Sequence, residues 1–343
     1  MIENSTILQR IGRAASEIGK PISYQQLAGD ASTRIYFRVT FQDGQSAISM
    51  VVREPGSNEE SAFVEIQRYL ENLGVAVPRI FSHDAALGVI ILEDLGDDLL
   101  ESLAIGANTK GLKNLYMLAV DTLVHLQKTP LKHSLRCRAF DLAFDEMKLM
   151  QEMNFFVTHF VRGWAAKNPS SVTIEAMNSF FHKICKELAA EPRFFTHRDY
   201  HSRNLMIKND RLYMIDFQDA RMGPAQYDLA SLLRDSYLSL PEDLVERLIV
   251  HYLEKADHLI DPSHDHFRRI FDIISLQRNI KALGTFGYQV SVRRLPRYLS
   301  SIPRTAKNIS RNLLRYPEFR VYFPALEENI LHPAFSISTD SLK

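Results

Sequence analysis

Apolar and polar positions follow two different periods, which divide the chain into a β-rich first part and a helical remainder. Residues 35–41 and 47–53 are β-rich runs on either side of a polar turn, and this predicts a hairpin. Apolar residues recur at helical spacing over 63–73, and extended stretches follow at 75–81 and 88–93. The order strand, strand, helix, strand, strand predicts a small lobe built from a sheet and a helix.

The rest of the chain is predicted to be mostly helical. Three amphipathic stretches, at 112–126, 177–188 and 244–253, carry apolar residues three and four positions apart. The polar, glycine-bearing segment 94–98 lies between the two parts and predicts a hinge. We therefore expect an α+β, bilobal protein. The expected divisions are a β-rich N-lobe at 1–93, the hinge at 94–98 and a larger helical C-lobe at 99–343.

Residues 197–204 interrupt the helical part and spell H-R-D-x-x-x-x-N. This sequence resembles the catalytic loop of the protein-kinase-like phosphotransferases. Phosphoryl transfer needs a carboxylate near the attacking hydroxyl and an oxygen ligand for magnesium, which Asp199 and Asn204 can supply. Because the motif has only four fixed positions, its weight depends on the residues that follow it.

A second hairpin is predicted directly after this motif, over residues 205–215, where two apolar runs flank a polar turn. Pairing Ile207 with Leu212 brings Asn204 beside Asp216 at the open end. Magnesium prefers a few hard oxygen ligands from protein, so the pair predicts a magnesium site. The alternative is an ordinary hairpin with a capping asparagine and a surface aspartate.

The nucleotide phosphates are expected at the turn before the first hairpin. Ser32, Thr33 and Arg34 lie there, where a phosphate-covering loop is expected, although a plain turn is the alternative. Backbone groups of the segment from Glu93 to Leu95 are expected to face the adenine, from their position at the hinge.

One expected group is missing from the β-rich part. No lysine occurs between Lys20 and Lys110, so the strand lysine that holds nucleotide phosphates in kinases has no counterpart. Arg53, at the end of the predicted strand, is the candidate replacement, although its planar fork differs from a lysine point charge. The glutamate partner of such a cation is either Glu60 or Glu65.

Three segments resemble the aminoglycoside phosphotransferase/choline kinase superfamily. They are the loop 197–204, the strand end 215–217, and Gly223-Pro224 followed by 227–230, and the resemblance extends over roughly residues 25–315. The resemblance implies a protein-kinase-like fold that uses ATP and Mg²⁺.

The resemblance also implies a role for each matched residue. Asp199 orients the acceptor hydroxyl, Asn204 and Asp216 bind magnesium, and Asp228 supports the catalytic loop. His197 is expected to brace that loop through hydrogen bonds.

A narrower resemblance rests on other segments. Residues 29–32 with 36–39, then 92–97, then 276–284 are similar to the bacterial anomeric N-acetylmuramate/N-acetylglucosamine kinases of cell-wall recycling. The resemblance implies phosphorylation of the C1 hydroxyl of a sugar. It also implies that a missing strand lysine is a trait of the subgroup.

Two features bear on the acceptor. Only eleven residues separate Asp216 from Asp228, which leaves no room for a long protein-docking activation segment, so we expect a small molecule. Residues 281–320 hold nine basic side chains and one acid, Glu318, which suits a neutral or anionic sugar better than a cation. The alternatives are a solvated basic face and a partner-docking patch. The basic residues are Lys281, Arg293, Arg294, Arg297, Arg304, Lys307, Arg311, Arg315 and Arg320.

Bulk composition excludes several classes of protein. Lys plus Arg and Asp plus Glu are both 41, so we expect no nucleic-acid partner. No apolar run approaches about 18 residues and no signal peptide is recognisable, so we expect a cytoplasmic protein without a membrane partner. We also expect a monomer.

Two alternatives to the sugar kinase stay open: another metabolite kinase of the superfamily, and a nucleotide-binding pseudokinase.

Overall fold

The computed structural model of the chain describes residues 4–27, 34–129, 136–256 and 263–337. Its first part contains a five-stranded antiparallel sheet within these residues. The strands are β1 (Pro21–Gln26), β2 (Ile35–Phe41), β3 (Ser46–Val51), β4 (Ile80–Asp84) and β5 (Val89–Glu93). They lie in the order β1-β2-β3-β5-β4. The predicted β2–β3 hairpin is confirmed, but β3 ends at Val51, so Arg53 lies beyond the strand.

Helix α2 (Asn58–Asn72) is the predicted helix of this lobe. At its start, the Ser57 hydroxyl accepts the Glu60 N–H. Gly74 lies just after its last turn and has a φ of +73°, a conformation that suits glycine. Its apolar face packs on one side of the sheet, because alternate residues of a strand face opposite sides. The residues that share this core include Met50, Phe63, Ile66, Leu70, Ile90 and Leu92.

Two elements of the sheet lobe were missed by the sequence pattern. Helix α1 (Asn4–Ala15) covers the other face of the sheet, where Ile7 and Ile11 meet Val39 and Ile91. Strand β1 is largely exposed, so its sequence lacks the apolar alternation on which strand prediction depends.

The second part of the chain is mostly helical. Its helices are α3 (Leu100–Gly106), α4 (Thr109–Lys128), α5 (Glu146–Phe156), α6 (Ser171–Ala189), α7 (Gln226–Leu233), α8 (Glu242–Lys255), α9 (His264–Ser291), α10 (Ile302–Arg315), α11 (Phe323–Leu326) and α12 (His332–Phe335). Short 3₁₀ segments lie at Arg138–Asp141, Pro296–Ser301 and Pro317–Tyr322, and π-helical turns at Val157–Trp164 and Glu327–Leu331. The predicted helices at 112–126, 177–188 and 244–253 correspond to α4, α6 and α8.

Helix α9 is the central element of this part. It is buried along most of its length and packs closely against α5, α10 and the π-helical turn Val157–Trp164. The chain is therefore an α+β protein with a sheet lobe and a helical lobe, as predicted. The boundaries at 93/94 and 98/99 stay a prediction. No helix among the described residues is long and apolar enough to span a membrane.

Two small antiparallel pairs lie within the helical lobe. Strands β6 (Arg193–Thr196) and β9 (Arg221–Pro224) pair with each other, and β7 (Leu205–Lys208) pairs with β8 (Arg211–Met214). The β7–β8 pair is the hairpin predicted after the H-R-D motif, and it has the predicted register of Ile207 opposite Leu212.

Candidate active site

The loop 197–204 is held by buried anchors on both sides. The Tyr200 hydroxyl donates to the Ala119 carbonyl oxygen at 2.8 Å. His197 is fully buried, and its Nε2–H donates to the Ile215 carbonyl oxygen at 3.0 Å. Burial lowers the pKa of His197 to about 4, so the ring is neutral at pH 7 and braces the loop against the hairpin.

Asp228, in the first turn of α7, binds the backbone of the same loop. Its carboxylate accepts the backbone N–H groups of His197 at 2.6 Å and of Arg198 at 3.0 Å. Arg198 has a φ of +81°, a conformation that few L-residues adopt, so these contacts offset local strain. Burial raises the pKa of Asp228 to about 7, although the two N–H donors oppose that rise.

Two cations of α9, a helix far from Asp199 in sequence, lie beside the Asp199 carboxylate. Lys281 Nζ lies 3.0 Å from Asp199 Oδ1, and Arg278 Nη2 lies 3.8 Å from the same oxygen. Burial alone would raise the pKa of Asp199, but Lys281, Arg198 and Arg278 outweigh it and hold the pKa well below its usual range. Asp199 is therefore an ionised carboxylate over the whole physiological pH range.

Asn204 and Asp216 meet at the open end of the hairpin. The Ile215 N–H donates to the Asn204 carbonyl oxygen at 3.0 Å, which places Asn204 beside Asp216 as predicted. Asn204 Nδ2 donates to the Asp199 carbonyl oxygen at 3.0 Å, so Oδ1 is the side-chain atom available as a ligand. Asp216 is half-exposed, and its Oδ1 accepts Gln218 Nε2 at 2.8 Å.

This pair of side chains fits a magnesium ion. Both offer hard oxygens, and few protein ligands suffice when phosphates and water complete the shell. Among the residues that the structure describes, no group of three or more His, Cys, Asp or Glu side chains forms a metal cluster. The two oxygen-bearing side chains of Asn204 and Asp216 fit an ion whose remaining ligands are phosphate and water.

A cavity of about 570 Å³ lies between the sheet and the hairpin. Apolar side chains from Ile48 and Leu92 form one wall, and Glu93 to Gly96, next to and within the predicted hinge, form its edge. Arg38 holds this segment, because it binds Asp94 at 2.7 Å and Asp97 at 2.8 Å. An apolar slot beside ordered backbone groups is suited to a planar heteroaromatic ring.

A second cavity of about 430 Å³ lies on the other side of the hairpin. Asp199 and the cations Arg278 and Lys281 are among the residues that line it. Asn204 and Asp216 line both cavities. The candidate metal ligands therefore lie on the border between the two, and the ionised carboxylate lies in the second cavity.

The other residues that were predicted to bind the nucleotide are not all at the candidate site. Ser32 and Thr33 lie outside the described residues. Arg34 is buried, and its Nη1 lies 3.8 Å from Asp216 Oδ1, so it reaches the border of the two cavities. Arg53 is exposed and lines neither cavity, so the structure does not bring it to the candidate site. Leu95 is buried at the hinge.

The two candidate partner glutamates of α2 contact other residues. Glu60 is buried, and its Oε1 lies 2.8 Å from His83 Nε2. Glu65 binds the Arg138 side chain at 2.8 Å. Neither contact involves Arg53, so these pairs tie α2 to its neighbours in the fold.

Sequence analysis missed two cationic contributions to the site. Arg278 and Lys281 both lie in segment 276–284 of the narrower resemblance, and Lys281 is also one of the nine basic residues, but neither sequence feature assigns them to Asp199. They lie three positions apart on α9, so they share one face of that helix. Two basic residues three positions apart in a largely apolar helical segment could have indicated a buried acidic partner. Arg38, which binds Asp94 and Asp97, lies in segment 36–39 of the narrower resemblance, but the sequence does not indicate these partners.

The arrangement is that of a protein-kinase-like phosphotransferase: a sheet lobe over a helical lobe, with an H-R-D loop and an Asn–Asp pair between two cavities. Residues 23–262 match the model of the phosphotransferase enzyme family (APH), and the chain belongs to this family. It is therefore an enzyme of the kinase class.

Individual relatives refine the comparison. The chain is 30% identical over 305 residues to an N-acetylmuramate/N-acetylglucosamine kinase of Neisseria meningitidis serogroup B, covering 88% of this chain and 89% of that protein. Its fold is similar to that of the ADP-bound aminoglycoside phosphotransferase APH(2'')-Ib, with a TM-score of 0.62, 16% identity and coverage of 92% and 99%. It is also similar to the amicoumacin kinase hAmiN in complex with AMP-PNP, Ca²⁺ and Ami, with a TM-score of 0.61, 13% identity and coverage of 99% and 100%.

Proposed function

We propose that this protein is an ATP- and Mg²⁺-dependent kinase that phosphorylates the anomeric hydroxyl of N-acetylmuramate and N-acetylglucosamine. The observation that carries the proposal is the placement of Asn204 and Asp216 on the border of two cavities, with Asp199 ionised in the second. Transfer between two substrates requires such a shared border, because both reacting groups must meet there.

The donor is proposed to bind in the cavity beside the hinge. Adenine packs against the wall formed by Ile48 and Leu92, and the segment from Glu93 to Leu95 offers it backbone groups. Arg34 is proposed to contact the phosphates, because it lies beside Asp216 where the missing strand lysine leaves a need for a cation. The relatives bound to ADP and to AMP-PNP with Ca²⁺ support a nucleotide and a divalent ion here.

Magnesium is proposed to bind at Asn204 Oδ1 and the Asp216 carboxylate. A bound ion neutralises charge on the phosphates during transfer. Gln218, which donates to Asp216, keeps that carboxylate oriented towards the border.

Asp199 is proposed to orient the acceptor hydroxyl. Its Oδ1 is engaged by Lys281, so Oδ2 is the oxygen that accepts the hydroxyl proton. A carboxylate with so low a pKa is a weak base, so positioning the hydroxyl for attack is its main contribution. Proton transfer to it becomes favourable only as the oxygen–phosphorus bond forms.

An amino sugar is proposed as the acceptor because of the relative that is 30% identical and named for these two sugars. The second cavity adds a physical argument. Its lining balances charge, with the cations Arg198, Arg234, Arg278 and Lys281 and the carboxylates Asp199, Asp216, Asp219 and Asp235. A neutral, hydroxyl-rich sugar suits such a mixed polar surface. Of the basic segment 281–320, Lys281 is the member that contacts Asp199.

The test measures ADP release with each sugar and identifies the product. Phosphorylation at C1 removes the reducing end of the sugar, whereas phosphorylation at any other hydroxyl leaves it. Asp199→Asn should lower kcat by about 10²- to 10⁴-fold. Asp243→Asn is the matched control, because Asp243 forms an exposed pair with Arg247 on α8 and such pairs contribute little.

The outcomes separate the alternatives. Turnover of another hydroxylated metabolite without turnover of either amino sugar would indicate a different kinase of the family. Near wild-type turnover by Asp199→Asn would disprove the role of that residue. The monomeric state, the cytoplasmic location and the lack of a nucleic-acid partner stay predictions, of which size-exclusion chromatography tests the first.

A further inference from the structure

The second cavity contains a buried acceptor atom that no described residue satisfies. Asn279 of α9 is 3% exposed and lines this cavity. Its Nδ2 donates to the Ser275 carbonyl oxygen at 2.6 Å, and this bond fixes the orientation of the amide. Its Oδ1 has no hydrogen-bond partner among the described residues. A buried carbonyl oxygen without a donor costs stability, so a ligand that displaces water from this cavity must supply a donor here.

The position of Asn279 relates this atom to the reacting end of the cavity. Arg278 and Lys281, which face Asp199, lie within the same turn of α9. Consecutive residues of a helix project in different directions, so Asn279 lies on a neighbouring face of α9, but all three residues and Asp199 line the same cavity. One sugar ring in this cavity can therefore contact both Asp199 and Asn279. On a pyranose that reacts at C1, the neighbouring substituent is the one on C2.

The surroundings of Asn279 indicate what kind of donor fits. Ala282 and Phe286 follow it at positions i+3 and i+7, so they continue the same face of the helix, and both line the cavity. A donor that is flanked by an apolar group matches this surface. An N-acyl group provides both, because its N–H donates and its methyl is apolar.

We propose that Asn279 is a specificity-determining residue that accepts the amide N–H of a 2-acylamino sugar, with Ala282 and Phe286 against the acyl methyl. This inference rests on the proposed function, since it places the C1 hydroxyl at Asp199.

Four other described residues of this cavity carry an unpartnered atom, and none of the four suits this role. Arg198 Nε and Arg234 Nε belong to guanidinium groups, which donate hydrogen bonds and cannot accept an N–H. Gln289 Oε1 lies ten residues further along α9, about 15 Å along the helix axis, which is too far for a substituent next to C1. His201 Nδ1 is a ring nitrogen whose partner Nε2 lies 3.4 Å from Asn204 Nδ2. If Nε2 accepts that bond, Nδ1 carries the proton and is a donor, so it suits a sugar hydroxyl oxygen.

The experiment compares two acceptors in two proteins. N-acetylglucosamine has the C2 amide, and 2-deoxyglucose has no donor at C2. Asn279→Leu in the full-length chain should lower kcat/KM for N-acetylglucosamine by about 10- to 100-fold, from the cost of about 1–3 kcal/mol for an unmatched buried polar group. It should change kcat/KM for 2-deoxyglucose by less than about threefold. The ratio of the two values does not depend on the fraction of folded enzyme.

Asn329→Leu is the matched control. Asn329 is 1% exposed and donates to the Ala325 carbonyl oxygen four residues earlier, as Asn279 does to Ser275, but it lines neither cavity. This change should leave the ratio of the two kcat/KM values as in the wild type. Asn279→Ala repeats the test with a side chain that fits any space left by asparagine.

Three results would overturn the inference. The first is an unchanged ratio in both Asn279 variants, which would make the residue structural only. The second is a wild-type enzyme that does not prefer N-acetylglucosamine over 2-deoxyglucose, a result that needs no variant. The third is turnover of no amino sugar by the wild type, which would also disprove the proposed function, whereas the first two leave that function intact.

Discussion

The crossing of α9 with the π-helical turn Val157–Trp164 depends on a glycine. A Cβ added at Gly287 would lie 2.4 Å from the His159 carbonyl oxygen and 2.8 Å from Phe160 Cα. Both neighbours are backbone atoms, which cannot rotate away as a side chain can. Ordinary contact begins near 3.4 Å, so the two segments would have to separate by about 1 Å.

The change Gly287→Ala therefore sets two effects against each other. Alanine favours the helix by about 1 kcal/mol relative to glycine. Overpacking of a close contact costs about 1–3 kcal/mol, and a backbone clash belongs at the upper end of that range. We expect a net loss of about 2 kcal/mol, which corresponds to a fall in melting temperature of about 3 °C for a chain of 343 residues.

Thermal unfolding followed by circular dichroism measures this loss, with Gly111→Ala as the control. At Gly111, in the first turn of α4, the nearest atom to an added Cβ is the Ala107 Cβ at 3.4 Å, so that variant should melt at or slightly above the wild-type temperature. Acceptor turnover by Gly287→Ala should also fall at 25 °C, because α9 positions Lys281 against Asp199. A Gly287→Ala variant as stable as wild type would refute the argument that this crossing is fixed by backbone contact.

Three further predictions concern titratable groups. Lys281→Met removes a cation that lowers the pKa of Asp199. Because Asp199 acts when ionised, the acid limb of the kcat/KM profile should move to higher pH. Lys281→Arg should return that limb to its wild-type position. Burial raises the pKa of Asp228 to about 7, so the protonated carboxyl contributes stability that is complete below about pH 4 and is lost as pH rises through 7. Urea unfolding at pH 5 and pH 8 should show a decline in the free energy of unfolding of the wild type. The decline should be smaller in Asp228→Asn. Burial raises the pKa of Cys137 to about 11 and of Cys185 to about 12, so a thiol reagent at pH 8 should modify both slowly in the native protein and rapidly in urea.

The parts of the candidate site that the sequence determined are the local ones. Asn204 and Asp216 are joined by a hairpin whose period-two pattern and polar turn fix its register, so their proximity follows from twelve residues of chain. The helices α2, α4, α6 and α8 were likewise predictable, because each buries a continuous apolar face.

The tertiary structure alone decided what surrounds Asp199. Lys281 is 82 positions away in sequence and reaches Asp199 because α9 lies buried at the centre of the helical lobe. It also decided that Arg34 reaches the border of the two cavities and that Arg53 does not, because β3 ends two residues before Arg53. Such contacts depend on how whole elements pack, which side-chain periodicity along one segment does not encode. The sequence thus determined which groups can perform the transfer, and the packing of α9 determined the charge around the carboxylate and the shape of the acceptor cavity.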